Sequence, residues 1–260
     1  MLKIRGKPIT LARVVRSLRG RWTDRVFPTT GFRGVHASFA EAEQSAPPVK
    51  SLGYDAADAG GWYPAKRTGI QLEDYPVTYW LRDAFKDGST VFEIGGHVGI
   101  AFYGFTQVME YPAGLQWTIC DVPTVAAAGE ALARERGEPR LRFVTKPSDV
   151  PGADIVIAAG ALQYIESPTL GETLAAMRHR PKHVLVNVTP VYDGPSFVTL
   201  QNLGNVYCPY RVFNRSEFVA SLDAAGYGLI DSWQKPRRFE IPGHPDRSFD
   251  HYSGFYFRAR

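Results

Sequence analysis

Cysteine is scarce in this chain. The 260 residues hold two, Cys120 and Cys208, too far apart for a metal-ligand pair or a disulfide framework. Both are expected as small buried side chains, and the cytoplasm as the compartment. Long apolar runs are missing too, since none approaches the roughly 20 residues needed to span a bilayer. The six histidines, His36, His97, His179, His183, His244 and His251, form no cluster with metal-ligand spacing, so no metal is expected. No internal repeat and no low-complexity tract interrupts the chain. Acidic residues are nearly absent from the N-terminus. Residues 1–25 carry eight Lys or Arg against one acid, Asp24, a net +7, while the remainder nets −3. The basic balance therefore belongs to one end. The body offers no basic groove, and no nucleic-acid partner is expected.

That N-terminal stretch reads as a basic amphipathic helix. Thr10 can cap it, and Leu11, Val14, Val15 and Leu18 repeat at helical spacing. Arg13, Arg16 and Arg19 lie off the stripe, and arginines interrupting the apolar positions exclude a secretory signal. The stripe has three candidate destinations: the protein's own body, a second subunit in a homodimer, or an anionic membrane surface met by residues 10–22. Residues 40–50, "AEAEQSAPPVK", read as a linker ending in a double proline. Residues 53–80 are rich in aromatics, among them Tyr54, Trp62, Tyr63, Tyr75, Tyr79 and Trp80. So much apolar surface argues against disorder and makes residues 26–89 a lid or cap segment.

From residue 90 to 260 strand and helix patterns alternate. Strands are predicted at 90–95, 115–120, 141–144, 154–159 and 183–189, and helices near 98–109, 123–136, 168–178 and 215–225. Two further strands fit 227–233 and 252–258. Near-continuous apolar strands between helices mean a parallel sheet covered on both faces. Five such strands and two more make a seven-stranded α/β sheet, preceded by the lid segment.

One stretch carries the most chemistry: "VFEIGGHVGIAFYGF", residues 91–105. A buried strand breaks at a glycine turn and continues as a helix, whose first N–H groups and positive dipole end face the turn. A dinucleotide fingerprint set on Gly95 needs glycine at 97 and 100, and His97 and Ile100 stand there. The S-adenosylmethionine pattern, acid-x-G-x-G-x-G, finds Glu93, Gly95 and Gly99 and departs only at His97. A carboxylate such as Glu93 suits the cationic end of that cofactor and would oppose a pyrophosphate. Gly96 completes the turn. At the tip of the next strand, Asp121 and Val122 in "WTICDVP" are placed to hold a ribose. A cap of the helix from residue 123 is the alternative role for Asp121. Ser148 and Asp149 in "KPSDVP" fall where adenine-edge contacts are expected, and "ADIVIAAGALQYI" brings the fourth strand out through Ala159 and Gly160.

These motifs in this order resemble a class I S-adenosylmethionine-dependent methyltransferase over residues 90–258. The wider text, "GFRGVHASFAEA", "LGYD", "YPVTYWL", "DIVIAAGALQYI" and "FVTLQN", is similar to a methyltransferase family associated with surface-polysaccharide gene clusters. The resemblance implies a doubly wound, seven-stranded Rossmann-like α/β sheet with an antiparallel last strand and an N-terminal helical lid. It also implies S-adenosylmethionine as cofactor and a small-molecule or glycan acceptor, with polysaccharide biosynthesis as setting. O-methylation of a sugar or glycan precursor, or of another small polar acceptor, is the reaction expected. Acceptor contacts are expected from Gln163 and Tyr164, from an insertion at 190–213 bearing Gln201, Asn202, Tyr210 and Arg211, and from Tyr63, Arg67, Tyr75 and Tyr79 of the lid. No catalytic base is assigned, and His97 is read as packing beside the turn. The absence of N-P-P-Y or D-P-P-Y after the fourth strand disfavours methylation of a nucleobase amine. Two rivals stand: an NAD(P)-binding Rossmann oxidoreductase, and a non-catalytic methyltransferase-like binding module.

Overall fold

A computed structural model describes residues 3–4, 7–8, 31–48, 50–53, 69–86 and 88–260. The N-terminal helix expected around residues 10–22 lies outside the described residues, as do Tyr54, Trp62, Tyr63 and Arg67 of the cap. In chain order the strands begin with β1 (Lys3–Ile4) and β2 (Lys7–Pro8), a two-stranded antiparallel ribbon. There follow β3 (Gly31–His36), α1 (Phe39–Gln44), β4 (Ser51–Leu52) and α2 (Tyr75–Ala84). The second half of the chain holds β5 (Thr90–Ile94), α3 (Ile100–Phe105), β6 (Gln116–Cys120), α4 (Pro123–Glu135), β7 (Leu141–Val144), β8 (Ile155–Ala159), α5 (Leu170–Ala176) and β9 (His183–Thr189). It closes with β10 (Val191–Tyr192), β11 (Phe197–Asn202), β12 (Val206–Asn214), α6 (Arg215–Ala224), β13 (Tyr227–Phe239) and β14 (Phe249–Ala259).

Seven strands form the main sheet in the order β13-β14-β9-β8-β5-β6-β7. The run β7-β6-β5-β8-β9 is parallel. The last strand, β14, lies antiparallel between β9 and β13. Apolar side chains alternate through the parallel strands and feed two cores. Phe92, Ile94, Val156, Ala158, Val184 and Val186 face α5 and α6, where Leu170, Leu174, Phe218 and Leu222 complete one layer. Val91, Ile155, Ile157 and Leu185 face the other way, onto Leu81 of α2, Phe102 and Phe105 of α3 and Ala126 of α4. Apolar area removed from water on both faces at ~25 cal/mol per Å² drives this layering. The chain leaves β5 toward β6 and β7, then returns to β8 and β9 on the other side. A switch in strand order therefore falls between β5 and β8, where such sheets open a crevice at the carboxyl ends.

Two expectations are corrected here. Residues 40–50 do not form a plain linker, because α1 occupies their first half. Ser38 accepts the Glu41 N–H at 3.2 Å, and Glu41 Oε2 accepts the Ala37 N–H at 2.9 Å, a reciprocal cap. Phe39 and Ala42 then bury against Val198. The stretch around 190–213 is not a loop. It supplies β10, β11 and β12 to a second sheet ordered β10-β12-β11-β3, with β4 added beside β12. Leu203, Gly204 and Asn205 make a three-residue hairpin, with Gly204 at φ 92 and Leu203 N–H donating to Val206 O at 3.0 Å. All six residues of β11 are buried. One face packs on α1, and the other forms an aromatic cluster of Tyr192, Phe197, Tyr210, Phe239 and Tyr252 with Phe32 of β3. The N-terminal β3 pairs antiparallel with β11 across more than 160 residues of sequence, a ladder fixed only by packing.

The lid segment docks through α2. Val77, Leu81 and Ala84 enter the core, and the Trp80 ring stacks on Tyr256 at 4.6 Å. Trp80 Nε1 donates to Asp231 Oδ2 at 2.8 Å, and Lys235 pairs with Glu73. These contacts bring residues 73–74 to the carboxyl end of β9. No described helix is long and apolar enough to cross a membrane.

Candidate cofactor site

The glycine turn leaves β5 at Ile94, and Gly95 N–H donates to Cys120 O at 2.8 Å, extending the pairing with β6 by one residue. Gly95 sits at φ 69, and a Cβ there would lie 2.3 Å from the Cβ of Ala161. The glycine therefore serves the chain's own packing: its bare Cα lets the loop after β8 close on the loop after β5. Gly96 has a similar reason, since a Cβ on it would stand 2.5 Å from the Glu93 carboxyl carbon. Gly99 is the left-handed N-cap of α3. His97, the departure from the glycine pattern, itself adopts φ 54. The left-handed conformation that glycine takes without cost is kept, at roughly 1–2 kcal/mol for a residue with a Cβ. Burial pushes the imidazole's pKa below its ordinary value, so His97 is neutral at pH 7.

Three carboxyl groups converge around this turn. Glu93 is 2% exposed and lies beneath Gly96, with Trp117 Nε1 donating to its Oε2 at 2.8 Å. Burial raises its pKa to about 8, and the charges of Asp121 and Asp74 add to the rise. Asp121 is held at the carboxyl end of β6 by two backbone donors. His97 N–H reaches Oδ2 and Val122 N–H reaches Oδ1, each at 2.8 Å. Val122, not Asp121, is the N-cap of α4, and no side chain caps that helix. Burial still leaves the Asp121 pKa raised. Asp74 arrives from the lid, bound by Asn187 Nδ2 at 3.2 Å, with a pKa raised by burial and by neighbouring Glu73. Among the described residues none of the three makes an ion pair. Glu93 is mostly protonated at pH 7 and Lys235 offsets part of the Asp74 charge, while no described cation bears on Asp121. Such a site favours a cation and disfavours a pyrophosphate.

Beyond Ala159 the β8 strand ends in Gly160, at φ 67, whose N–H donates to Asn187 O at 2.9 Å. Here a Cβ would meet nothing nearer than Gln163 Nε2 at 3.9 Å and Val188 Cβ at 4.0 Å. Gly160, unlike Gly95, would give a Cβ only ordinary van der Waals contacts, so packing between the loops does not demand a bare Cα there. Gln163 is 3% exposed. Its Nε2 donates to Gly160 O at 2.7 Å, while its Oε1 is buried with no bond. Val188 faces Gly160 from φ 50, a conformation costly for a β-branched residue and of the kind that collects at functional sites. Asn187 locks this corner. It donates to Glu73 O and Asp74 and accepts from Val188 N–H and Trp233 Nε1 at 3.0 Å each.

The remaining expected contacts scatter. Ser148 and Asp149 form an exposed turn past β7, with the Asp149 charge near enough to raise the Cys120 thiol. Tyr164 donates to Gln201 Oε1 at 2.7 Å, joining the β8 exit to the second sheet. Asn202 is tied to Lys50 Nζ at 3.1 Å and to Gly204 N–H at 3.0 Å. Tyr210 is buried in the aromatic cluster, its hydroxyl donating to Tyr252 at 3.1 Å. Arg211 lies on the opposite face of β12, stacked over Phe39. Tyr75 and Tyr79 point to solvent. Asp74, Asn187 and Val188 were not singled out from sequence. Asn187 carried a usable signal, a lone amide in the apolar run "HVLVNVT" just before its carboxyl end.

No protein-family model and no curated protein matches the sequence. Solved structures do match in fold. A Burkholderia thailandensis 1,6-didemethyltoxoflavin-N1-methyltransferase, solved with S-adenosylhomocysteine and 1,6-didemethyltoxoflavin, is 18% identical with a TM-score of 0.51, over 98% of this chain and 93% of that one. A Synechocystis magnesium protoporphyrin IX methyltransferase with bound S-adenosylhomocysteine is 14% identical with a TM-score of 0.50, over 95% of this chain and 98% of that one. At this identity the likeness speaks for the fold, and that fold is the Rossmann-like sheet of class I methyltransferases.

Proposed function

We propose that this protein is an S-adenosylmethionine-dependent methyltransferase acting on a small polar acceptor. The observation that carries the proposal is the group of unpaired carboxyls, Glu93, Asp121 and Asp74, around the glycine turn at the switch point. When bound, the cofactor supplies an activated methyl group on a cationic sulfonium. The chain's own work is then binding, orientation and exclusion of water. Asp121, with both oxygens fixed by backbone N–H groups, keeps lone pairs for two ribose hydroxyls. Glu93, protonated at neutral pH in the free protein, can ionise beneath the loop when a cation binds above it, and Asp74 offers a carboxylate from the lid side. Ser148 and Asp149 flank the position an adenine would take. The same negative potential weighs against the NAD(P) reading, because a pyrophosphate would meet repulsion where it needs donors.

For the acceptor we infer a hydroxyl-bearing molecule of the sugar or glycan-precursor class. Gln163 Oε1 supports this, as a buried acceptor beside Gly160 with no bond of its own, which a substrate hydroxyl can satisfy. Tyr164 and Gln201 extend the polar wall. Calorimetry with S-adenosylhomocysteine and with NAD tests the cofactor half. Binding of the first and not the second is expected, and the reverse would favour the oxidoreductase. Transfer of labelled methyl to sugar precursors tests the acceptor half. Cofactor binding without transfer to any acceptor in a cell extract would favour the non-catalytic module.

A further inference from the structure

A second cavity lies away from the glycine turn, on the α5/α6 face of the sheet. Its volume is about 350 Å³, the low end of the range for small-molecule pockets. Leu162, Leu170, Phe218 and Leu222 floor it with core side chains, and Phe213 and Ile165 wall it. None of the three carboxyl residues at the glycine turn lines it.

Arg211 enters this cavity from β12. Its guanidinium carbon stands 5.0 Å from the Phe39 ring and 5.8 Å from the Phe213 ring. Two aromatic rings thus fix its plane. Among the described residues its one hydrogen bond is a long one, Nη2 to Glu166 O at 3.5 Å. None of their carboxylates forms an ion pair with it, and the Glu166 charge acts on it only through space. A guanidinium has five donors in a rigid fork, and this one is half-buried with most of them unused. Glu217, at the exposed rim, is held by Ser196 Oγ at 2.8 Å. It does not neutralise Arg211, and it would repel a dianion.

We propose that this cavity binds a small apolar monocarboxylate, its carboxylate on the Arg211 fork and its hydrocarbon body on the Leu162–Leu170–Phe218–Leu222 floor. One guanidinium matches one negative charge bidentately. Phosphate would bring a second charge toward Glu217 with no second cation to meet it. The inference stands independently of the methyltransferase reading, because it uses no residue of the glycine turn.

The test uses the full-length protein and two probes of equal shape, 3-phenylpropionate and 3-phenylpropan-1-ol, followed by ligand-observed NMR and calorimetry. The carboxylate is expected to bind at millimolar concentration or below, and the alcohol at least about tenfold more weakly, as the loss of a charge-assisted pair requires. Arg211→Met keeps the stem over Phe39 and should abolish that preference. Gly171→Leu fills the cavity from α5, where a Cβ has only Ser221 O at 3.8 Å for company, and should abolish binding of both probes. Near-ultraviolet circular dichroism checks the fold of each variant, and Gly171→Leu keeps the test alive should Arg211→Met fail to fold. Saturating S-adenosylhomocysteine should leave probe binding in place. Absence of carboxylate binding, equal binding of the alcohol, unchanged binding in either folded variant, or displacement by S-adenosylhomocysteine would each overturn the proposal.

Discussion

The His97 backbone N–H donates to Asp121 Oδ2 at 2.8 Å, so the glycine turn after β5 is bonded to the carboxylate after β6. The bond requires His97 to hold φ 54. His97→Gly relieves that strain but adds unfolded-state freedom, and the two nearly cancel at about 1 kcal/mol each. Stability within roughly 0.5 kcal/mol of wild type is expected by urea denaturation. His97→Val, β-branched at positive φ, should cost about 1–2 kcal/mol more than His97→Gly. Equal stability of the two would mean the turn does not need its left-handed residue.

Asp121→Ala should weaken S-adenosylhomocysteine by roughly 1.5–3 kcal/mol, the usual worth of hydrogen bonds to a charged group. Methionine, which has no ribose, should lose much less. Calorimetry with both ligands decides between a ribose anchor and a carboxylate whose only task is to hold His97 and Val122.

Gly95 and Gly160 should fail differently. Gly95→Ala sets a Cβ 2.3 Å from Ala161 and should destabilise the fold by about 2 kcal/mol or more, ligand or no ligand. Gly160→Ala puts a Cβ at ordinary contact distance, 3.9 Å from Gln163 Nε2, and should cost only about 1 kcal/mol for its positive φ. Its main effect should appear in binding or turnover. Thermal melts beside cofactor titrations separate the two, and a Gly160→Ala protein with full activity would remove Gly160 from the site.

Glu93 gives the protein a pH dependence of known sign. Its folded pKa, about 8, exceeds the ordinary 4.5. Above 4.5 the unfolded chain releases this proton while the folded chain keeps it. Stability is therefore lost as pH rises from about 4.5 through about 8. Melting temperatures of the ligand-free protein should fall across that window, and Glu93→Gln, which can still accept from Trp117, should flatten the fall. A cationic ligand favours the ionised carboxylate, so its affinity should rise across the same window.

Asp74 distinguishes charge from shape. S-adenosylmethionine carries one more positive charge than S-adenosylhomocysteine. Asp74→Asn keeps the contact distance to Asn187 but removes a negative charge from the site. It should weaken S-adenosylmethionine by about tenfold, roughly 1.4 kcal/mol, and S-adenosylhomocysteine by less. Equal losses would place the Asp74 carboxylate away from the sulfonium.

The parallel half of the protein was determined by the sequence itself. Strand–helix alternation from residue 90, the glycine turn and Asp121 at the next strand end are local patterns, written in neighbours that touch along one element. The last strand, too, could be read from the alternation in "YSGFYFR", though its direction could not. What only the tertiary structure decided depends on distant segments meeting. β3 finds β11 because both bury apolar faces, and no short-range pattern couples residue 36 to residue 198. Asp74 joins Glu93 and Asp121 only because α2 docks on Tyr256 and Lys235 draws Glu73 toward β9. Gly95 and Gly160 look alike in sequence. Whether a Cβ beside each would collide with Ala161 or meet only ordinary contacts is a fact of packing between loops, which a linear pattern does not contain.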